Sequence, residues 1–239
     1  MMKLLMSDPL SWMVYGKPLG AAAAARGNPT PTAVTSGNGS TSVDGTSVTT
    51  SAVTLTADCL YLAAIATVSA LGADQPTCTG QGLTWEVVKT HAAYNATRRM
   101  TVFRATGTPT GGALTFDFLT DIQTSFVWSI IEVADAVLTS NGADGVVQAP
   151  AVTQVAAGTS LAAPTLAAFE HANNINITWV ALDTNASVTP DGDFAELTDN
   201  AVASGSGTLS CQWAANQTGC TSTFASADAG AISIEVKAT

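Results

Sequence analysis

Two histidines, four cysteines and one dense run of acids are the residues of this 239-residue chain that could do chemistry. His91 and His171 stand far apart, each beside a predicted strand end, with no His, Cys or carboxylate at ligand spacing. They read as surface or turn residues. Cys59, Cys78, Cys211 and Cys220 form no CxxC, the spacing that a zinc site or redox dithiol would need. Cys211 and Cys220 bracket QWAANQTG. A hairpin turning at Ala215-Asn216 would set them opposite each other, within reach of a disulfide. The alternative is two reduced, buried thiols, which a cytosolic origin favours. Cys59 and Cys78 are expected to stay free. The acids Asp191, Asp193, Glu196 and Asp199 lie in TPDGDFAELTDN, where alternate carboxylates could hold Ca²⁺. Pro190-Asp191-Gly192 is equally a plain turn, and no Glu completes a twelve-residue calcium loop.

Other chemistries find still less footing. GxSxG, HExxH and P-loop patterns are absent, and Gly205-Ser206-Gly207 reads as a turn with no helix start behind it. No pair of acids stands out for sugar hydrolysis. At 6% aromatic content, platforms for a glycan are few; Tyr94 and Trp213 are the two aromatics off core parity. The sequons at Asn95, Asn176, Asn185 and Asn216 are what a chain rich in Thr, Ser and Asn produces by chance. The expectation is a protein that is not an enzyme and that carries neither cofactor nor metal.

The elements that would position any such site are strands. Hydrophobic residues make up 46% of the chain and charged ones 11%, and much of the rest is Thr, Ser, Asn and Gly. That balance suits neither disorder nor a helical protein. A net charge of −10 leaves no basic face to displace counterions, so nucleic acid is excluded as a partner. No run of about 18 apolar residues marks a membrane span. The start MMKLLMSDPLSWMVYGKPLG breaks at Ser7-Asp8-Pro9 before a secretory h-region forms, so synthesis in a cytosol without export is expected.

Residues 1–42 read as an attachment arm. Ser7-Asp8-Pro9 starts a short helix and Gly16 closes it, displaying Leu10, Trp12, Met13, Val14 and Tyr15. Those anchors would grip a partner subunit or pack back on the body. Residues 27–39, with Pro29, Pro31, Gly37 and Gly39, read as an extended linker. Residues 43–239 then alternate strand runs with turn clusters. Residues 48–56 alternate; residues 59–69 (CLYLAAIATVS) are apolar on both faces and should be central. Further strands are expected around Trp85, over Arg98–Ala105, at Leu114 to Phe118, from Phe126 to Val133, at 165–169 and over Ile175–Leu182. Residues 208–213 and 221–224 form a candidate hairpin, and Ile232, Ile234 and Val236 close the chain. No convincing short-period repeat is visible.

From about residue 58 onward, the motif order resembles a family of surface proteins of tailed-bacteriophage virions and related bacterial proteins. The carriers are LYLAAIATVS, GLTWEVV (82–88), RRMTVFRATG (98–107), GALTFDF (112–118), VWSIIEV (127–133), DFAELTD (193–199) and GAISIEV (230–236). The resemblance implies an all-β, antiparallel, jelly-roll-like β-sandwich on the outside of a virion. It brings no catalytic residues. The expected function is non-catalytic capsid decoration, with the arm holding major capsid or tail subunits in a homo-oligomer. The alternative is a tail or fibre-associated protein that binds a host-surface glycan. Strand parity puts Trp85, Phe116, Trp128, Trp179 and Ile234 inward. Trp128→Ala should therefore cost about 3–5 kcal/mol in denaturant unfolding, and a loss below about 1 kcal/mol would invert that parity.

Overall fold

The computed structural model describes residues 29–69, 75–95, 97–202 and 207–239. The anchors Leu10, Trp12, Met13, Val14 and Tyr15 lie outside the described residues. Among the described residues, eight strands occupy the first half: β1 (Thr32–Thr41), β2 (Ser47–Thr49), β3 (Leu60–Ser69), β4 (Thr77–Gly80), β5 (Glu86–Asn95), β6 (Arg98–Ala105), β7 (Leu114–Asp117) and β8 (Gln123–Ala134). Seven follow: β9 (Val146–Gln148), β10 (Thr153–Ala162), β11 (Ile175–Leu182), β12 (Val188–Thr189), β13 (Ala195–Ala201), β14 (Thr208–Ala215) and β15 (Thr221–Val236). One 3-10 turn, Ser140–Gly142, is the sole helical piece among the described residues.

The chain is an all-β, antiparallel β-sandwich. A five-stranded sheet runs β1-β8-β3-β6-β5, and a second sheet runs β10-β15-β11-β14-β13, with β9 and β12 also paired to β15. A small sheet, β2-β7-β4, covers the outer face of the first. The layers follow from side-chain alternation. On β3, Leu60, Leu62, Ala64 and Ala66 face the second sheet, while Tyr61, Ala63 and Ile65 face the small sheet. That double coverage is why LYLAAIATVS is apolar at nearly every position. Phe103 meets Phe116, and Phe118 meets Phe126, both at 5.8 Å between ring centroids, fastening the small sheet. From β11, Ile175, Ile177, Trp179 and Ala181 enter the central core, and Val180 and Leu182 enter a third cluster beneath loops. Trp179 Nε1 donates across the core to Ser129 Oγ at 3.2 Å.

Several expectations need correction. Residues 32–39, read as part of the linker, belong with residues 40 and 41 to the edge strand β1, paired to β8 from Thr32↔Ala134 to Thr41↔Phe126. Their Ser, Gly and Asn content hid this. Yet Gly39 is needed there, because a Cβ on it would lie 2.3 Å from the Trp128 ring. The body therefore begins well before residue 43. Of residues 48–56, only Val48 and Thr49 belong to a ladder-paired strand, and Val53 makes an isolated bridge to Gly112. Residues 165–169 are not a strand; the preceding β10 takes that place in the sheet. The strands at 208–213 and 221–224 exist, but they do not pair as a hairpin, since β14 and β15 flank β11 on opposite sides. Each main sheet comes from one half of the chain. A jelly roll of two Greek keys would interleave the halves, so these strand orders do not reproduce that finer wiring.

Of the five residues placed inward by parity, Phe116, Trp179 and Ile234 are fully buried, Trp128 is 7% exposed, and Trp85 is half-buried against the small-sheet cluster. A truncation separates the role of β1 from that of residues before it. A chain starting at Pro29 keeps β1, whereas one starting at Val43 strips the edge of β8. The shorter chain should melt at least ~5 °C below the longer one and aggregate through the bared edge; equal midpoints in calorimetry would show β1 to be dispensable.

Candidate functional site

Most groups singled out from the sequence are absorbed into structure. His91 lies within β5 and is buried, not at the surface. Its Nε2 donates to the Thr153 carbonyl at 3.2 Å, and its ring meets Tyr94 edge-on at 5.6 Å. Burial lowers the His91 pKa against the opposing effect of that hydrogen bond. Tyr94, considered as a glycan platform, is fully enclosed, and burial raises its phenol out of the ordinary range. Gly230 passes so close that a Cβ on it would stand 2.4 Å from Tyr94 Cβ. Trp213 is half-buried against the central core. His171 is exposed beside Glu170, 3.9 Å from its carboxylate.

The four cysteines are free thiols. Cys211 points into the core between the sheets, and Cys220 into the cluster on the other face of the second sheet. A Cys211–Cys220 disulfide would need the hairpin that β11 interrupts. Burial raises the thiol pKa of Cys78 and Cys211 strongly, that of Cys59 less, and pushes Cys220 up to about 11. Protonated thiols make poor nucleophiles and ligands.

The acidic loop is likewise structural. Asp191 Oδ2 accepts from the Thr221 N–H at 2.8 Å, and Asp199 Oδ2 accepts from the Val188 N–H at 3.1 Å. Burial raises the pKa of Asp199, and burial with the Asp199 charge raises that of Glu196. No group of three His, Cys, Asp or Glu able to hold a metal occurs among the described residues.

What remains open on the surface is an apolar corner. Val43, Leu119 and Ile122 are exposed by 70%, 53% and 62%. Backbone bonds bring their two segments together. Gly45 and Gln123 exchange N–H···O bonds at 3.0 and 2.8 Å, and the Phe118 N–H reaches the Thr46 carbonyl at 2.7 Å. Leu119 sits at φ +60, a conformation that costs a residue with a Cβ, and its N–H is held by Asp117 Oδ1 at 2.8 Å. A strained backbone thus presents a large apolar side chain to solvent. Asp44, Asp117 and Asp121 flank these residues in sequence, which brings acidic side chains close to the corner. Strand parity could not find these residues, because they stand in turns; the available signal was a large aliphatic amid turn formers, as in SVDG and LTDI.

A second surface feature is a shallow cleft of about 380 Å³ at one end of β5 and β6, lined by Leu83, Thr84, Glu86, Thr106, Thr108 and Asn141. Asn141 organises it. Its Nδ2 donates to the Thr84 carbonyl at 3.0 Å, and its Oδ1 accepts from the Thr106 N–H at 3.1 Å. Arg104 closes one side, pairing with Glu86 at 2.6 Å. The lining combines Thr hydroxyls, the Asn141 amide, the Glu86 carboxylate and the Leu83 side chain, and it includes no aromatic residue: Trp85 is half-buried and its indole donates to the Gly80 carbonyl at 3.2 Å.

No family model, curated protein or solved structure matches this chain.

The buried His91 gives a pH dependence of known sign. In the unfolded chain an imidazole takes its proton near pH 6.5; in the fold it does so at lower pH. The unfolded state then binds more protons, so stability falls as pH drops below about 6.5, by at most about 1.4 kcal/mol per pH unit. Glu196 and Asp199 contribute with opposite sign just above pH 4, since their folded pKa values are raised. A His91→Gln variant keeps a donor and isolates the histidine. Its urea midpoint should change less than that of the parent between about pH 6.5 and 5. Parallel profiles would place the titration elsewhere.

Proposed function

We propose that this protein is a non-catalytic structural subunit of a virion surface, a capsid decoration protein that docks through the apolar corner together with its N-terminal segment. The observation that carries the reading is the corner itself. Three large aliphatics stand in solvent, and one of them, Leu119, does so on a strained turn. Contiguous exposed apolar surface on a folded domain marks a contact site. The acidic residues close to it select a partner patch that is apolar at its centre and carries Lys or Arg around it.

Size decides the role of the N-terminal segment. Three side chains bury a few hundred Å² at most, against about 800 Å² per partner for a stable complex. The corner alone gives a weak contact. Residues 1–28, which carry Leu10, Trp12, Met13, Val14 and Tyr15, would supply the rest. The enclosed His91, the protonated thiols and the backbone-bonded acids also fit a framework more readily than an active site. The order of strand motifs, which resembles that of virion surface proteins, points the same way.

A second reading, recognition of a host-surface glycan by a tail or fibre-associated protein, draws on the cleft around Asn141. Hydroxyl and amide walls suit a sugar, although the missing aromatic platform would leave affinity low.

Substitution at the corner separates the two. Val43→Asp with Ile122→Asp should weaken co-sedimentation with particles stripped of the protein by at least ~10-fold, about 1.4 kcal/mol, while circular dichroism stays native. Unchanged particle binding, with loss of glycan binding in Asn141→Ala, would sink the decoration role in favour of the cleft.

A further inference from the structure

We infer that the chain is two copies of one β-unit fused in tandem, and that the face each unit buries is an interaction surface that fits the buried face of the other unit. The first observation is wiring. Ranked by order along the chain, the strands of β1-β8-β3-β6-β5 and of β10-β15-β11-β14-β13 both read first, fifth, second, fourth, third. A five-stranded antiparallel sheet can be threaded in many ways, and short connections favour simple hairpins over this one.

Register carries the inference further. Leu60 pairs with Val133 and Tyr61 with Glu132; in the second sheet, Ile175 pairs with Val236 and Asn176 with Glu235. Superposing those pairs makes Ile131-Glu132-Val133 equivalent to Ile234-Glu235-Val236, the same three residues. Following the ladders outward, Arg104 becomes equivalent to Trp213 and Glu86 to Ala195. The next irregularity then falls at the same place in both units: a bulge between Val87 and Lys89, and one between Glu196 and Thr198. Bulges are placed features of a strand rather than noise.

On the other flank, β9 and β10 together stand where β1 stands. Gln148 pairs with Glu235 as Val34 pairs with Glu132, and Thr153 pairs with Ala231 as Gly39 pairs with Trp128. Val34 to Gly39 and Gln148 to Thr153 are the same number of residues. Where the second unit breaks this strand, at Pro150, the first has its own irregularity between Thr35 and Gly37. One pair of backbone bonds in the outer layer repeats as well. Thr50 and Val53 donate to the carbonyls of Leu114 and Gly112; Ala163 and Leu166 donate in the same spacing to those of Cys220 and Thr218.

The equivalent glutamates do equivalent work. Glu132 is 4% exposed and accepts from Ser36 Oγ on β1 and from the Thr56 N–H; Glu235 is 1% exposed and accepts from Gln148 Nε2 on β9 and from Asn174 Nδ2. Each buried carboxylate ties the first strand of its own unit to the last.

Contacts between the units are reciprocal, as a two-fold axis requires. The first strand of each lies over the third strand of the other: Thr35 Oγ1 donates to the Leu197 carbonyl at 2.7 Å, and His91 Nε2 to the Thr153 carbonyl at 3.2 Å. After β8 and β15 the two chain segments pair with each other, the Val137 N–H to the Lys237 carbonyl and the Thr239 N–H to the Asp135 carbonyl. Asymmetry appears at the centre of the shared core, where Trp179 of the second unit is equivalent to Ala64 of the first. Two tryptophans related by a close axis would collide and two alanines would leave a void, so one large and one small residue fill the space.

Order of the units along the chain should then be immaterial, while cutting inside a unit should not be. Thr239 lies beside Asp135, next to the Thr32↔Ala134 pair, so the chain can be closed from Thr239 to Met1 and reopened elsewhere. Two full-length permutants serve, one opened between Thr139 and Ser140 at the unit boundary, the other between Gly111 and Gly112 inside the first unit. Both openings are at exposed residues, so exposure alone predicts equal tolerance. The boundary permutant should melt within ~5 °C of the parent, and the internal one at least ~10 °C below it. As a second measurement, the parent with a protease site at Thr139-Ser140 is cleaved, unfolded and diluted; it should recover one native species with both pieces at equal stoichiometry. Equal losses in the two permutants, a lower midpoint for the boundary permutant, or pieces that fail to reassociate would overturn the inference.

Discussion

Burial of the inner faces of β3, β8, β11 and β15 against one another is the interaction on which the rest depends. These four central strands supply most of the enclosed core, from Leu60 and Ile131 on one side to Trp179 and Ile234 on the other. With few charges and, among the described residues, no α-helix to cover a sheet, a β-chain of this composition can bury a face only against another sheet. Trp179 shows how specific that face is. Its ring fills the middle of the core, and its one polar atom must find Ser129, because an unpaired buried N–H would cost free energy comparable to a lost hydrogen bond.

Once the central face is closed, each sheet still has an outer apolar face, and the two are covered differently. The first sheet is covered by β2-β7-β4 with its interlocked phenylalanines. The second is covered by loops that bring in Leu161, Val188 and Phe194. Coverage on both sides leaves little apolar surface in solvent. Against that background the exposed corner of Val43, Leu119 and Ile122 stands out.

Chemically reactive residues have been drawn into the same framework. Thiols are enclosed, His91 spends its proton on a backbone carbonyl across the sheet interface, and the buried glutamates bind the first strand of each sheet to the last. The partners of His91 and of both glutamates come from distant parts of the chain, so those environments exist only once the fold is assembled.

Local pattern by itself determined the strands whose side chains alternate or are uniformly apolar. LYLAAIATVS, RRMTVFRA, LTFD and INITWVAL were legible as strands, as was the all-β class, because burial of one or both faces writes itself directly into residue type. Tertiary structure decided what pattern cannot encode. β1 forms from TAVTSGNGST because an edge strand needs only a partner ladder and, at Gly39, room for Trp128. The pairing of Cys211 was lost because adjacency in sequence does not say which strand inserts between two others, and β11 does so here. Val43, Leu119 and Ile122 sit in turns, where no period tells inside from outside. The repeated architecture survives in backbone register and in one short shared triplet, since a sheet holds its ladder through main-chain bonds while its side chains are free to diverge.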